Sequence, residues 1–440
     1  MSALNRDTGL NRVVGPAALA ASMLSIVVGA GIFVVPAQLA QALGSLAPLA
    51  VVACAVGVGA VGVCMAEAGS RIPSSGGVYA FVDAAFGPCA GYVAGIMLLV
   101  SNVLACGAVS SALGDVAAAS LPAGIRTEVH GAVAAGTIVV ICGINIGGIE
   151  RGMRLVSVST LVKLIPLVAF IAIGGFAIHA GNFRAPVTIG GADVERALLL
   201  TLFAFQGFET SLSAGGEIRD PTRTIPRAVL LALSGVALLY ILVQVVAQGI
   251  LGPSLAHSTV PLADAMGTIS PALRALLLLG AALSMFGWLT SDLVGSPRIL
   301  FAFGRDGLLF RALGRLSART HAPYPAIITY GAVSIVLASW GSFAELAAPA
   351  ALALAALYIA VCCAAWQLAR RGVARAGAPL GFRWVGAAAS VGAVSMATML
   401  FLAPRIELLK LLVLPAASLL VYLIQTRVLY RTARANPPPD

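Results

Sequence analysis

Charge is the scarcest component of this sequence. Only 10% of its 440 residues are Asp, Glu, Lys or Arg, against about 25% in a soluble domain. So few charged groups cannot cover a folded surface that faces water, and a soluble globule is excluded. Aromatic residues are also few, at 6%, and the apolar residues run unbroken instead of alternating, which excludes a membrane β-barrel. The seven cysteines include no CxxC pair and mostly sit inside apolar runs, where they read as small buried hydrophobes. Of the histidines, His130, His179, His257 and His321 fall at the ends of apolar runs or in loops, and no metal-ligand spacing arises. There is no HExxH motif and no pair of facing aspartates, so nothing marks an intramembrane hydrolase.

Apolar residues make up 60% of the chain and the mean hydropathy is +0.99. That amounts to about 264 residues, and at about 20 per spanning helix it allows near thirteen spans. Runs bounded by charge or Gly/Pro clusters fall at 15–43, 46–68, 87–115, 130–148, 155–179, 197–215, 227–251, 272–302, 325–341, 345–368, 384–403 and 407–427. They predict an all-α integral membrane protein of 12 transmembrane helices. Arg6 and Arg12 precede a run too long for a cleavable signal peptide, so the first helix is expected to stay. With the N-terminus inside, twenty basic residues fall in inner loops and tails and six in outer loops. This asymmetry predicts an inner-membrane protein with both termini cytoplasmic, and it accounts for the net charge of +10 without nucleic acid.

Two spans carry an interruption at matching places. The first holds Gly29-Ala30-Gly31 and the sixth holds Phe205-Gln206-Gly207. Interrupted helices in corresponding positions of two halves point to an inverted repeat with a binding site near the bilayer midplane. The expected organisation is a cytoplasmic tail (1–14), a first repeat (15–179), a second repeat (197–368), two further helices (384–427) and a cytoplasmic tail (428–440). Unwinding at Gly29, Ala30 and Gly31 bares N–H groups that suit a carboxylate, or else these small residues serve only close helix packing. Unwinding at Gln206 and Gly207 frees carbonyls that suit an ammonium group, so the natural guest is a zwitterion. Phe203 and Phe205 are candidates for an apolar lid or for packing.

Three ionisable residues lie deep in the predicted spans. Glu209 is eight residues before Glu217, roughly 12 Å inside the edge at 1.5 Å per residue. An acid there is costly unless paired, protonated or facing water, so it is a candidate gating residue or a hydrogen-bond partner for unwound backbone. Lys163 is nine residues beyond Arg154, roughly 13–14 Å into the span. Burial penalises its charged form, which makes it a candidate proton carrier; the alternative is a permanent ion pair with Glu209 or Asp292. Asp292 follows Trp288 by one turn, so both can face one cavity, either touching the substrate's variable part or packing within the helices.

Several stretches, taken together and in order, resemble the amino acid–polyamine–organocation (APC) superfamily of permeases. They are Gly29 to Phe33 with Pro36, Gly69 to Tyr79, Phe203 to Glu209 with Glu217, Asp220 to Arg227, and Arg298 to Phe301 with Arg305-Asp306-Gly307. The resemblance implies a leucine-transporter-type 5+5 inverted repeat followed by two C-terminal helices. It places the substrate carboxylate on Ala30 and Gly31 and the amino group on the carbonyls of Val27, Phe203 and Gln206, with Phe203 closing over the substrate. It gives Lys163 the place of a sodium ion and a link to proton movement. Ala30 stands where family members often carry a hydroxyl, and Trp288 falls about one turn from the cation-stacking tryptophan of some branches.

The expected function is therefore secondary active transport of an amino acid by alternating access, with a proton as coupling ion and no cofactor. Exchange of cationic amino acids or amines is the alternative, and a channel or enzyme the reading outside this class. The expected partners are the amino acid and the lipid bilayer, with the chain a monomer or homodimer.

Overall fold

A computed structural model describes residues 14–72, 77–119, 121–147, 163–184, 191–212, 218–305, 309–320, 322–375, 378–403 and scattered positions between 405 and 422. Among these, every regular element is a helix; one isolated parallel bridge joins Val14 to Ile218. In chain order the α-helices are α1 (Pro16–Val27), α2 (Gly31–Leu43), α3 (Ala47–Arg71), α4 (Gly77–Phe86), α5 (Pro88–Ala118), α6 (Ala123–Ile146), α7 (Leu164–Gly174) and α8 (Gly191–Phe205). They continue with α9 (Phe208–Ser211), α10 (Pro221–Leu251), α11 (Pro261–Gly267), α12 (Pro271–Gly295), α13 (Pro297–Arg305), α14 (Tyr324–Trp340), α15 (Phe343–Arg370) and α16 (Val385–Leu402).

Local chemistry sets many of these boundaries. Pro16, Pro88, Pro221 and Pro271 open α1, α5, α10 and α12, at the one helical position where a missing N–H costs nothing. Ser342 and Glu345 form a reciprocal capping box at the start of α15, with the Ser342 N–H donating to Glu345 Oε2 at 2.8 Å. Backbone that must satisfy its own polar groups in lipid is helical wherever the apolar runs continue.

Seven helical segments among the described residues are long and apolar enough to cross a membrane, and the protein is multi-pass. Four shorter apolar helices accompany them, among them α1 and α14. The first predicted span is divided into α1 and α2, and the sixth into α8 and α9, at the two places where glycines interrupt the sequence pattern. The first third of the fifth predicted span, 155–162, and most of the twelfth lie outside the described residues.

The two sets of helices interleave instead of forming separate bodies. α3 packs along α10, α5 along α15, α2 along α8, and α1 against α10 and α9. One continuous apolar core runs through all of them. At one end, α3 is tied to the segment after α15 by a buried polar cluster. Arg71 Nη2 lies 2.7 Å from Glu67 Oε1, Arg71 Nη1 donates to the Val373 carbonyl at 3.1 Å, and the Phe382 N–H donates to Glu67 Oε2 at 3.0 Å. That cluster fixes α3, the helix against which α10 leans beside both interruptions.

Candidate substrate site

The first interruption is held open by side chains from three other helices. α1 ends at Val27 and α2 begins at Gly31, with no side chain capping its N-terminus, so its leading N–H groups lack helical acceptors. Three carbonyls at the end of α1 and in the break accept from side chains of other elements. Lys163, immediately before α7, donates its Nζ to the Ser25 carbonyl. Tyr240 of α10 donates its hydroxyl to the Val27 carbonyl at 2.9 Å, and Ser284 of α12 donates to the Val28 carbonyl at 3.2 Å.

The second interruption uses its own glycine and its own acid. α8 stops at Phe205, and Gly207 takes φ 112°, in the left-handed region that a side chain disfavours. Its N–H points at both carboxylate oxygens of Glu209, at 3.1 and 3.0 Å. Tyr358 of α15 donates to Glu209 Oε2 at 2.8 Å. The Tyr240 hydroxyl also lies 2.9 Å from the Ala204 carbonyl, so this one phenol bridges both broken helices.

The two interruptions touch. A Cβ on Gly31 would stand 2.7 Å from Ala204 Cα, and one on Gly207 would stand 2.6 Å from Ile26 Cγ2. Gly29 lies under the Trp288 ring, where a Cβ would meet Cδ1 at 2.6 Å. The close-packing reading of Gly29 and Gly31 is thus realised in this conformation, and the backbone around Ala30 is buried.

Beside the breaks lies a cavity of about 20 Å³ lined by Ile26, Asn102, Gln206, Gly207, Glu209, Thr210, Trp288, Ser291 and Asp292. It is little more than the space one water requires, so the helices leave no room there for a larger molecule. Of the residues predicted for the site, Gln206, Gly207, Glu209, Trp288 and Asp292 are brought together here, while Val27, Gly29, Ala30, Gly31 and Phe203 are packed outside this cavity. Phe203 sits edge-on to Phe343 at 5.2 Å, and Phe205 lies 5.1 Å from Tyr240. The carbonyls of Val27 and Phe203 already accept, the second from the Gln206 N–H at 3.3 Å. The buried Gln206 Oε1 has no partner.

The ion-pair alternative for Lys163 is not what the structure contains. Its ammonium meets a carbonyl, and both acids that were candidates for pairing with it are bonded to hydroxyls. Asp292 Oδ1 accepts from Ser296 at 2.6 Å and Oδ2 from Tyr330 at 2.7 Å, while Asn102 donates to Ser296 at 2.9 Å. Glu209 likewise bonds unwound backbone, the second of its two predicted roles. Glu217 and Arg154, from which the depths of Glu209 and Lys163 were counted, lie outside the described residues.

Sequence reasoning missed Tyr240, Tyr330, Tyr358, Ser284 and Asn102. A signal was present: phenols in membrane helices favour the interfaces, whereas these three stand within apolar stretches, where a polar group is expensive unless satisfied.

Comparison with known proteins agrees with this architecture. The family described as "Amino acid permease" matches residues 15–424, a stretch containing both breaks and every cavity-lining residue. An uncharacterised transporter of Mycobacterium tuberculosis is 32% identical over 320 residues, covering 72% of this chain and 71% of the relative. The branched-chain amino acid permease BcaP of Bacillus subtilis is 25% identical over 374 residues, 79% and 78% of the two chains. The rabbit (Oryctolagus cuniculus) b(0,+)-type amino acid transporter 1 is 27% identical over 347 residues, 75% and 70%. With two broken helices in contact, a small cavity beside them and a family match along nearly its whole length, the chain belongs to the amino acid permease family of the APC superfamily and is an amino acid transporter, not an enzyme.

Proposed function

We propose that the protein moves an amino acid across the cytoplasmic membrane by alternating access, coupled to a proton, on a twelve-helix frame with a 5+5 inverted repeat and cytoplasmic termini. The observation that carries this reading is the contact between two broken helices, Gly31 on Ala204 and Gly207 on Ile26, beside a small polar cavity. A zwitterion answers both kinds of exposed backbone group: leading N–H groups of α2 for the carboxylate, carbonyls near the end of α8 for the ammonium. A cavity of about 20 Å³ cannot hold an amino acid, so loading requires α1, α8, α9 and α12 to separate, and binding energy is what favours one separation over another.

Similarity to a branched-chain permease supports an apolar side chain on the substrate. Exchange of cationic substrates draws support from Glu209 and Asp292, which both line the cavity. It is the weaker reading because the oxygens of each already accept hydrogen bonds from the protein. Counterflow in proteoliposomes with labelled leucine, alanine, lysine and agmatine separates the two: the first pair should exchange and the second should not.

Lys163 is the proposed proton carrier because its ammonium is the group bonded to the end of α1. Loss of that proton leaves a neutral amine, which holds the Ser25 carbonyl by a weaker hydrogen bond without charge assistance and so loosens α1 from α7. In proteoliposomes, an acidic exterior should accelerate uptake by the wild type, and Lys163→Ala should abolish that acceleration. The sequence alone predicts unperturbed folding for this variant; the contact with Ser25 predicts a lower melting temperature as well. Full retention of the pH response would remove Lys163 from the mechanism.

A further inference from the structure

A second and roomier cavity, of about 480 Å³, lies at the ends of α6, α13 and α14, away from the interruptions. The basic-residue asymmetry assigns these ends to the cytoplasm. One wall is a single face of α13: Arg298, Phe301, Ala302 and Arg305 follow one another at helical spacing. The opposite wall is Asn145, near the end of α6, and Leu316, Thr320, Ala322 and Pro323 close the rim.

Three observations give this cavity a chemistry. Asn145 is 5% exposed, yet neither its Nδ2 nor its Oδ1 has a partner, and the buried Thr320 hydroxyl has none either. A buried polar side chain with both donor and acceptor open is costly unless something fills it. Arg298 is half-buried, and no carboxylate among the described residues pairs with it. The N-terminus of α14 meets the rim without a side-chain cap, so its dipole favours negative charge there.

We propose that this cavity binds a phosphate group with a neighbouring hydroxyl, Arg298 holding the anion and Asn145 the hydroxyl. Guanidinium geometry suits phosphate oxygens. The open Oδ1 of Asn145 requires a donor on the ligand, which a fully ionised phosphate ester group lacks. A volume of about 480 Å³ accommodates a headgroup-sized molecule. Two sources share this chemistry: the glycerol phosphate headgroup of an anionic inner-leaflet lipid, and a soluble glycerol phosphate. The inference does not depend on which amino acid is carried or on proton coupling.

The test is thermal unfolding of the detergent-purified full chain with dioctanoyl-phosphatidylglycerol, dioctanoyl-phosphatidylmethanol, dioctanoyl-phosphatidylcholine and glycerol 3-phosphate, each titrated. Phosphatidylglycerol should raise the melting temperature at lower concentration than phosphatidylmethanol, by roughly threefold to tenfold for one hydrogen bond. Phosphatidylcholine should not match it. Arg298→Gln should weaken phosphatidylglycerol by roughly tenfold or more, Asn145→Leu should remove the preference over phosphatidylmethanol, and Arg311→Gln, outside the cavity, should change neither. A response to glycerol 3-phosphate comparable with that to phosphatidylglycerol assigns the soluble source; a response to the lipid alone assigns the membrane. An equal response to phosphatidylcholine, equal behaviour of Arg298→Gln and Arg311→Gln, or no response to any phosphate compound overturns the proposal. Should Arg298→Gln fail to fold, the Asn145→Leu comparison decides by itself, and an unchanged preference there also overturns it.

Discussion

Gly207 is where backbone conformation and packing demand the same residue. Its φ of 112° disfavours any side chain, and an added Cβ would stand 2.6 Å from Ile26. Gly207→Ala should therefore lower stability by about 1–3 kcal/mol from backbone strain alone and reduce uptake at least tenfold by forcing the breaks apart; a melting curve and a labelled-leucine assay check the two effects. Tyr240→Phe removes one hydroxyl from two buried carbonyls, Val27 and Ala204. The expected loss is about 1–3 kcal/mol, and uptake should fall more than melting temperature does, because both broken helices lose the same tether. Gly207 was legible in the sequence as part of a paired interruption. Tyr240 was not, because a phenol in an apolar run gives no sign of which distant carbonyls it will meet.

At the scale of elements, the interruptions work because unbroken helices hold them. α10 carries Tyr240, α12 carries Ser284 and Trp288, and α15 carries Tyr358. α3 backs α10 and is itself anchored through Glu67 and Arg71. Arg71→Met leaves the fully buried Glu67 carboxylate without its cation, and removing one member of a buried pair costs about 3–5 kcal/mol. Adding Glu67→Gln should restore much of that stability, which thermal unfolding of the single and double variants measures. The periodicity and punctuation of the sequence placed the helices and both breaks. They could not show that Glu209 would turn back onto the Gly207 N–H, because a carboxylate two residues away looks the same in sequence whether it faces backbone, substrate or water.

Viewed as a whole molecule, the protein leaves only about 20 Å³ beside the two breaks, too little for a substrate. Alternating access then predicts that a cysteine at Ser291, a partly exposed position on the cavity wall, reports the movement through its rate of reaction with a small thiol reagent. Its labelling rate should change at least several-fold when substrate is added. A rate indifferent to substrate at that position, in a variant that still transports, would count against a moving cavity. The reporter is read in a background lacking the exposed Cys363.

The amino-acid sequence by itself determined the solvent, the helical class and the positions where helices fail. These follow from composition and from local backbone rules, which act over a few residues: apolar length, charge at span ends, and glycine where a side chain is disfavoured. Only the tertiary structure decided what those failures are for at each atom. It set Trp288 over Gly29, gave the Ser25 carbonyl to Lys163, and spent the oxygens of Glu209 and Asp292 on phenols, a glycine N–H and a serine. Partners such as Tyr358 and Glu209 lie 149 residues apart. Their meeting is fixed by how the helices pack together, which no short stretch of sequence encodes.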